Sequence, residues 1–293
     1  MKNFSLLLLF WALFAPTIRA QVSAVSMELT LDQEQFLSNE DVRVAVRITN
    51  RSGQTLAFGK ENDWLTFSIE AREHYVVSQL GDVPVAGEFT LDSSQTGTKR
   101  VNLTPYFDFR QAGRYQITAS VKIPQWEKEI TSRPVVFDII SGTKLKELDF
   151  GVPSTATNAP PEMRKYILQQ ALYMKQIRLY LRLTDAAGTT VFRVFPIAPM
   201  VSFSKPEAQL DKFSNLHVLH QTGARAFNYS VINPEGDVII QQVHEYSTTR
   251  PVLRIDDDGK ILVSGGFRRV TANDLPKPPA PQLPAPDAKI SKP

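Results

Sequence analysis

The chain of 293 residues contains no cysteine and only four histidines. The absence of cysteine excludes disulfides, thiolate nucleophiles, Cys-ligated zinc, iron–sulfur clusters and a lipidated N-terminal cysteine. The sequence also lacks a G-x-S-x-G elbow, a Walker loop and an H-E-x-x-H helix. Common nucleophilic and metal-dependent chemistries therefore have little support, and we predict a protein that is not an enzyme and carries no cofactor or metal.

Long hydrophobic runs are absent except at the start of the chain. Lys2 is followed by the apolar stretch 4–14, then by Pro16 and the small residue Ala20. This is the layout of a secretory signal peptide, and the run is short for a membrane span. We expect residues 1–20 to be removed and the protein to be periplasmic or secreted. An uncleaved membrane anchor is the alternative.

An excess of charge of one sign is also missing. The full chain has 33 basic and 30 acidic residues. Without residues 1–20 the net charge falls to +1. The residues from Leu275 onward contribute +2, so the rest of the mature chain carries a net charge of −1. The folded part is close to neutral, so nucleic-acid binding has little electrostatic support and is not expected.

Alternating apolar and polar residues dominate the first part of the mature chain. Each run places one set of side chains inward and the other toward water, which is typical of half-buried strands. Polar, glycine-containing turns separate the runs. We predict about eight strands in the spacing of a β-sandwich, at 26–31, 42–49, 54–58, 65–71, 88–91, 100–104, 115–121 and 135–139.

One motif refines this prediction. The segment from Asp108 to Tyr115 has the form D-x4-G-x-Y and leads into an alternating strand. It resembles the tyrosine corner of immunoglobulin-like and fibronectin-like sandwiches, in which the tyrosine hydroxyl bonds to upstream backbone. Residues 24–141 therefore resemble a bacterial immunoglobulin-like domain without its usual disulfide, and we take 21–142 as the first domain. The resemblance implies a fold and says nearly nothing about function.

A second β-rich unit is predicted at 162–272, after a linker at 143–161 that is rich in Pro, Ser, Thr and Ala. Its opening, 162–174, fits either a helix or a strand, and the strand is favoured. Polar turns ending in Gly188, Gly236 and Gly259 join pairs of apolar runs, as hairpins do. The unit is too small for a propeller, so a second sandwich or a barrel-like sheet is expected. The segments 202–207 and 216–221 resemble uncharacterised exported bacterial proteins, a likeness that implies no activity.

The chain ends in a proline-rich segment, LPKPPAPQLPAPDAKISKP, from Leu275 to Pro293. Such a composition is typical of a solvated polyproline-type tail. We predict disorder over 273–293, and the segment acts either as a spacer or docking element or simply as a disordered end.

A few residues invite a chemical interpretation. Spacing on a strand sends His217 and His220 to opposite faces, so they do not share a metal. The run 256–259 suggests either calcium or a hairpin turn, and the turn is favoured. Trp64 and Trp126 would stack on sugars if exposed, but packing in the core is the favoured interpretation.

Polar and aromatic side chains on the strands of the second unit are the predicted partner surface, because such groups carry interface energy. They are Arg178, Tyr180, Arg182, His217, His220, Arg225, Tyr229 and His244. We expect an exported structural or interaction protein of a bacterial envelope, with an envelope protein or glycan as its partner. The alternatives are a glycan-binding accessory module and a hydrolase that uses a pair of carboxylates.

Overall fold

A computed structural model of the chain describes residues 24–72, 77–153 and 161–277. The predicted signal peptide and the tail beyond Lys277 lie outside these residues. The described part contains strands and a single 3-10 turn, Pro124–Trp126, and no α-helix. The all-β prediction is therefore confirmed, and the described residues contain no helix able to cross a membrane.

The strands follow one another in chain order as β1 Val25–Leu31, β2 Gln35–Leu37, β3 Arg43–Asn50, β4 Leu56–Phe58, β5 Leu65–Ala71, β6 Phe89–Leu91, β7 Thr96–Asn102, β8 Gly113–Ile123, β9 Lys128–Thr131, β10 Val135–Ile140, β11 Thr143–Val152, β12 Glu162–Tyr173, β13 Gln176–Asp185, β14 Val191–Pro199, β15 Glu207–Leu210, β16 Leu216–Gln221, β17 Ala226–Ile232, β18 Val238–Glu245, β19 Val252–Ile255, β20 Ile261–Ser264 and β21 Phe267–Arg269.

Strands β1 to β10 form the first unit, a sandwich. One sheet has the order β1-β3-β7, and the other has the order β2-β10-β8-β5 with β9 paired to β8. The short strands β4 and β6 pair with each other. The alternating faces of both sheets meet in one continuous apolar core. The sequence missed β2 and β9, which are only three and four residues long.

The D-x4-G-x-Y motif has the geometry expected of it. The hydroxyl of Tyr115 donates a hydrogen bond of 2.8 Å to the carbonyl of Gln111. The ring of Tyr115 stacks on Phe137 and meets Phe109 edge-on. The motif thus ties the loop before β8 to the centre of the core.

The predicted linker is partly wrong, because residues 143–152 form strand β11, which pairs with β12 along its length. A register shift between Lys144 and Lys146 breaks the period-two pattern there. Leu148 and Phe150 nevertheless pack on the core of the second unit. The bulge explains why alternation did not reveal the strand, and 154–160 lie outside the described residues.

The second unit, β11 to β21, also consists of packed sheets. The sheet β11-β12-β13-β14 lies on the sheet β15-β16-β17-β18-β21, with an apolar core between them. The hairpin β19–β20 covers the opposite face of the five-stranded sheet. The ambiguous segment is a strand, β12, as favoured. Gly188, Gly236 and Gly259 have φ angles of 74°, 85° and 76°, which confirms the glycine-dependent turns.

Order continues beyond residue 273, where the tail was predicted to begin. The Asp274 side chain is fully buried, and its Oδ1 accepts hydrogen bonds from the Thr271 amide and hydroxyl. Leu275 then exchanges two backbone hydrogen bonds with Gln241 of β18. The chain therefore runs antiparallel to β18 as far as Leu275.

Candidate functional site

A cleft of about 570 Å³ opens where the two units meet. Its wall on the first unit is made by residues 32–43 together with Leu80 and Pro105. Its wall on the second unit is strand β14, at residues 191–196. We call this space the junction cleft. Its position at the meeting of two packed units is typical of a ligand-binding site.

Strand β14 presents side chains rather than free backbone to the cleft. It is the last strand of its sheet, and Pro196 and Pro199 remove two of its amide donors. Its pairing with β13 is interrupted by two register shifts. Proline and bulges are the devices by which edge strands avoid pairing with other chains. Recognition at this edge therefore depends on side chains such as Phe192, which is 39 % exposed.

The cleft combines apolar and acidic groups. Leu80, on the wall opposite Phe192, is 62 % exposed. Asp41 pairs with Arg43, and Arg193 pairs with Asp237. Asp32, by contrast, makes no ion pair within the described residues. The two ion pairs neutralise their own charges. The charge that remains in the lining is therefore negative, and it lies beside the apolar side chains of Leu80 and Phe192.

Glu40 lies at the base of the cleft and is almost completely buried. Its Oε1 accepts a hydrogen bond of 2.7 Å from Gln33 Nε2, and its Oε2 accepts one of 2.7 Å from the Leu37 amide. Burial raises the pKa of this carboxyl above its usual value, although the two hydrogen bonds oppose the shift. Both oxygens hold the 33–40 turn in place. Glu40 therefore has a structural role, and its burial needs no partner from a catalytic carboxylate pair to account for it.

The structure places Arg178, Tyr180 and Arg182 beneath the junction cleft, against the first unit. Arg182 donates hydrogen bonds to Asn39 Oδ1 at 2.6 Å and to the Ser38 carbonyl at 3.4 Å. Tyr180 is fully buried in an apolar cluster with Leu37 of the first unit. The predicted exposed partner face is therefore corrected: these side chains join the two units of one chain.

The remaining electrostatics of this interface follow from burial. The guanidinium of Arg178 lies 3.7 Å from the centre of the Tyr173 ring. Burial, aided by the charge of Glu40, raises the pKa of the Tyr180 hydroxyl to about 12. Burial also lowers the pKa of Arg182, which has neutral hydrogen-bond partners. Arg178 Nε and the Tyr180 hydroxyl are buried without a hydrogen-bond partner among the described residues, so the interface carries an energetic cost for burying them.

The other predicted partner residues form a separate cluster on the five-stranded sheet. His217 Nδ1 lies 2.7 Å from the Tyr229 hydroxyl, and His217 Nε2 lies 3.3 Å from Asp211 Oδ2. The rings of Tyr229 and His244 meet edge-on at 6.1 Å. Because a carboxylate only accepts, His217 donates through Nε2 and accepts through Nδ1. This chain of hydrogen bonds is buried under β19–β20 and is not a surface.

His220 lies on the other face of β16, as the strand spacing predicted. Its Nε2 lies 3.2 Å from the Pro199 carbonyl, and its Nδ1 has no hydrogen-bond partner. Arg225 is exposed and donates to the Tyr246 carbonyl. Of the eight predicted partner residues, Arg225 is thus the one that offers its side chain to solvent.

The described residues contain no group of three or more His, Asp or Glu side chains able to hold a metal ion. The 256–259 run is a hairpin turn, in which Asp256 Oδ1 accepts from the amides of Asp258 and Lys260. Trp64 is 1 % exposed, and its Nε1 donates to the Val85 carbonyl. Trp126 is half-buried against the same core. Neither ring lies free on a surface where a sugar would stack.

Sequence reasoning missed the residues that line the junction cleft. A signal was present in the apolar run VFRVFPIAP of β14, where two prolines interrupt an otherwise regular strand. Because proline is confined to sheet edges, this pattern indicates an exposed edge with apolar side chains. The opposite wall comes from loops, which carry no such signal.

Comparison with known proteins adds little. No family model matches the chain, and no curated protein matches it. Among solved structures, the sporulation control protein Spo0M from Bacillus subtilis is similar over 60 % of this chain and 90 % of its own, at 7 % identity and a TM-score of 0.30. A likeness at that level carries no argument about function.

Proposed function

We propose that this chain is an exported, non-enzymatic interaction protein of a bacterial envelope or periplasm, and that the junction cleft is its binding surface. The observation that carries the proposal is the cleft itself, where exposed Phe192 and Leu80 stand on opposite walls. Beside them lies Asp32, which forms no ion pair in the part of the chain that the structure describes. Aromatic groups in a concave site at the meeting of two units are typical binding anchors.

Export is supported by the signal-like residues 1–20, and it agrees with the resemblance of the second unit to exported bacterial proteins. The finer fold of the first unit belongs to the same proposal. Its sheet β1-β3-β7 matches strands A, B and E of an immunoglobulin-like sandwich, and β5-β8-β10 matches C, F and G. The tyrosine corner at Tyr115 supports the same assignment.

Site-specific photo-cross-linking in the native envelope tests this function. Phe192 is replaced by p-benzoylphenylalanine, and the matched controls carry the same group at Phe203 and Phe213, which are more exposed and do not line the cleft. We expect a discrete adduct from position 192 and none from the controls. Equal adducts from all three positions would show that the cleft has no special affinity.

Two further measurements address export and catalysis. N-terminal sequencing of the exported protein is expected to begin near Gln21, and an intact Met1 in the envelope fraction would contradict cleavage. A broad hydrolase screen is expected to give no turnover. Turnover that disappears when one acidic residue is changed would contradict the non-enzymatic part of the proposal.

A further inference from the structure

The last described residues of the chain point toward the junction cleft. From Phe267 to Leu275 the chain runs antiparallel to β18, so it advances from the Glu245 end toward the Val238 end. The residue just before β18 is Asp237, which pairs with Arg193. Arg193 is in the wall of the junction cleft. The chain therefore leaves the fold in the direction of the cleft.

The segment that follows is long enough to reach the cleft and cross it. Gln241 and Asp237 are separated by four residues of extended chain, or about 13 Å at roughly 3.3 Å per residue. Residues 276–293 span about 55 Å as a polyproline helix at about 3.1 Å per residue. Reach is therefore no obstacle, and most of the segment can lie along the cleft after it arrives.

The chemistry of the segment matches the chemistry of the cleft. Residues 276–293 contain three lysines and one aspartate together with repeated PxxP spacings. Proline-rich segments bind grooves lined by aromatic side chains, because the extended helix loses little entropy on binding. The cleft offers as apolar walls Leu80 and Phe192, whose ring also contacts the Arg164 guanidinium at 4.6 Å. It also offers Asp32, a negative charge that makes no ion pair within the described residues.

We propose that the proline-rich tail beyond Lys277, residues 278–293, occupies the junction cleft of its own chain and thereby competes with the external partner for the same surface. The competition with a partner rests on the proposed function, whereas the docking of the tail does not. A tethered segment has a high effective concentration at a site within its reach, so docking with a dissociation constant below that concentration keeps the cleft occupied. A partner must then displace the tail.

Photo-cross-linking of the purified, full-length mature protein tests the docking. The probe p-benzoylphenylalanine is placed at Phe192 on one wall and, in a second variant, at Leu80 on the other. We expect both probes to form adducts with peptides from residues 278–293, identified by mass spectrometry. The same probe at Phe203 or Phe213 serves as the control and is expected to give far fewer tail adducts.

A mixture of isotope-labelled and unlabelled protein separates docking within one chain from exchange between copies. Adducts within one isotope class support the proposal. Mixed adducts would show that the tail of a second copy fills the cleft, and an absence of tail adducts from both positions would show that the tail is elsewhere. Either of these two results overturns the proposal.

Replacing Lys277, Lys289 and Lys292 by Glu leaves the described fold untouched except at exposed Lys277. This charge reversal is expected to lower the tail adduct severalfold in purified protein and to raise the envelope adduct at position 192. An unchanged tail adduct would contradict the electrostatic part of the docking. A tail adduct in purified protein without any envelope adduct would support the docking and contradict the proposed function, so the two failures are distinguishable.

Discussion

The two units are built from the same kind of strand, yet their interiors differ. The core of the first unit is made of apolar side chains, with Phe36, Phe109, Tyr115 and Phe137 stacked at its centre. The five-stranded sheet of the second unit instead buries His217, His220 and His244 together with amide and hydroxyl side chains. One interior is held by packing, and the other also needs neutral histidines.

This difference has an energetic consequence. A packed apolar core depends on volume and shape, so it is sensitive to truncation and insensitive to pH. Buried histidines have the opposite sensitivity, because their charged form is excluded from the interior. The nitrogens His220 Nδ1 and His244 Nε2 are buried and have no hydrogen-bond partner among the described residues, so none of these residues compensates protonation at these atoms. The comparison teaches that both units are sensitive to truncation of their apolar cores, whereas loss of stability in acid is expected from the second unit.

The largest expected effect is the truncation of the aromatic core. Phe137→Ala removes a ring that contacts Phe36, Phe109 and Tyr115. We expect the free energy of unfolding of the first unit to fall by about 3–5 kcal/mol. Urea titration followed by tryptophan fluorescence measures it, because Trp64 and Trp126 both lie in this unit.

Val136→Ala is the matched control, since Val136 is the exposed neighbour of Phe137 on β10. It is expected to change the free energy of unfolding by no more than about 0.5 kcal/mol. If Phe137→Ala destabilised both units equally, the protein would unfold as one cooperative body and the comparison would lose its meaning.

Acidification is expected to destabilise the second unit selectively. Burial lowers the pKa of His220 from 6.5 to about 4, and it also lowers the pKa of His217 and His244. A lowered folded-state pKa gives stability that is complete above pH 6.5 and is lost as pH falls toward 4. At pH 5 the loss from His220 alone is about 2 kcal/mol, at 1.36 kcal/mol per pH unit below 6.5.

Urea titrations at pH 7 and pH 5 check this prediction, with far-UV circular dichroism following both units and tryptophan fluorescence following the first. We expect the second-unit transition to move to lower urea at pH 5, whereas the fluorescence transition does not move to lower urea. His220→Gln keeps a side-chain donor for the Pro199 carbonyl and cannot be protonated, so its pH dependence should be smaller. Equal shifts of the two transitions would contradict the assignment.

Glu40 is the exception within the first unit, because it is a buried titratable group at the junction. Its pKa is raised by burial, so the folded state favours the protonated form. This contribution to stability therefore grows as pH falls from neutral toward 4.5, opposite in sign to that of the histidines. Glu40→Ala leaves the buried Leu37 amide without its acceptor and should cost about 1–2 kcal/mol.

Glu40→Gln is the matched variant, because an amide oxygen still accepts from the Leu37 amide but cannot change its charge. The fluorescence-monitored stability of Glu40→Gln should lack the rise on acidification that the unaltered protein shows. If both proteins had the same pH dependence of stability between pH 7 and pH 5, protonation of buried Glu40 would not be the cause of the rise.

Much of the fold could be predicted from local patterns. Strict alternation in 115–121 and the turns ending in Gly188, Gly236 and Gly259 depend on neighbours a few residues away, so they were recognised correctly. Strand β11 was missed because a bulge interrupts its period, and Leu148 and Phe150 then no longer follow the earlier register.

The candidate site was harder to predict because it depends on distant pairs. Arg182 contacts Ser38 and Asn39, which are more than 140 residues away. Alternation correctly showed that Arg178, Tyr180 and Arg182 share one face of β13, but nothing in the sequence says what covers that face. Arginine and tyrosine are equally suited to an external interface and to an internal one, so composition alone did not separate the two.

The smallest expected effect concerns the tyrosine corner, which links the sequence motif to the aromatic core. Tyr115→Phe keeps the ring in its stack on Phe137 and removes the hydroxyl that donates to the Gln111 carbonyl. Loss of one hydrogen bond should lower the free energy of unfolding of the first unit by about 1 kcal/mol. Tyr246→Phe, at an exposed position in the second unit, is the control and should leave the tryptophan-monitored transition in place. A cost well above that of one hydrogen bond would mean that the hydroxyl also positions the 108–112 loop, and no cost would mean that packing alone holds the corner.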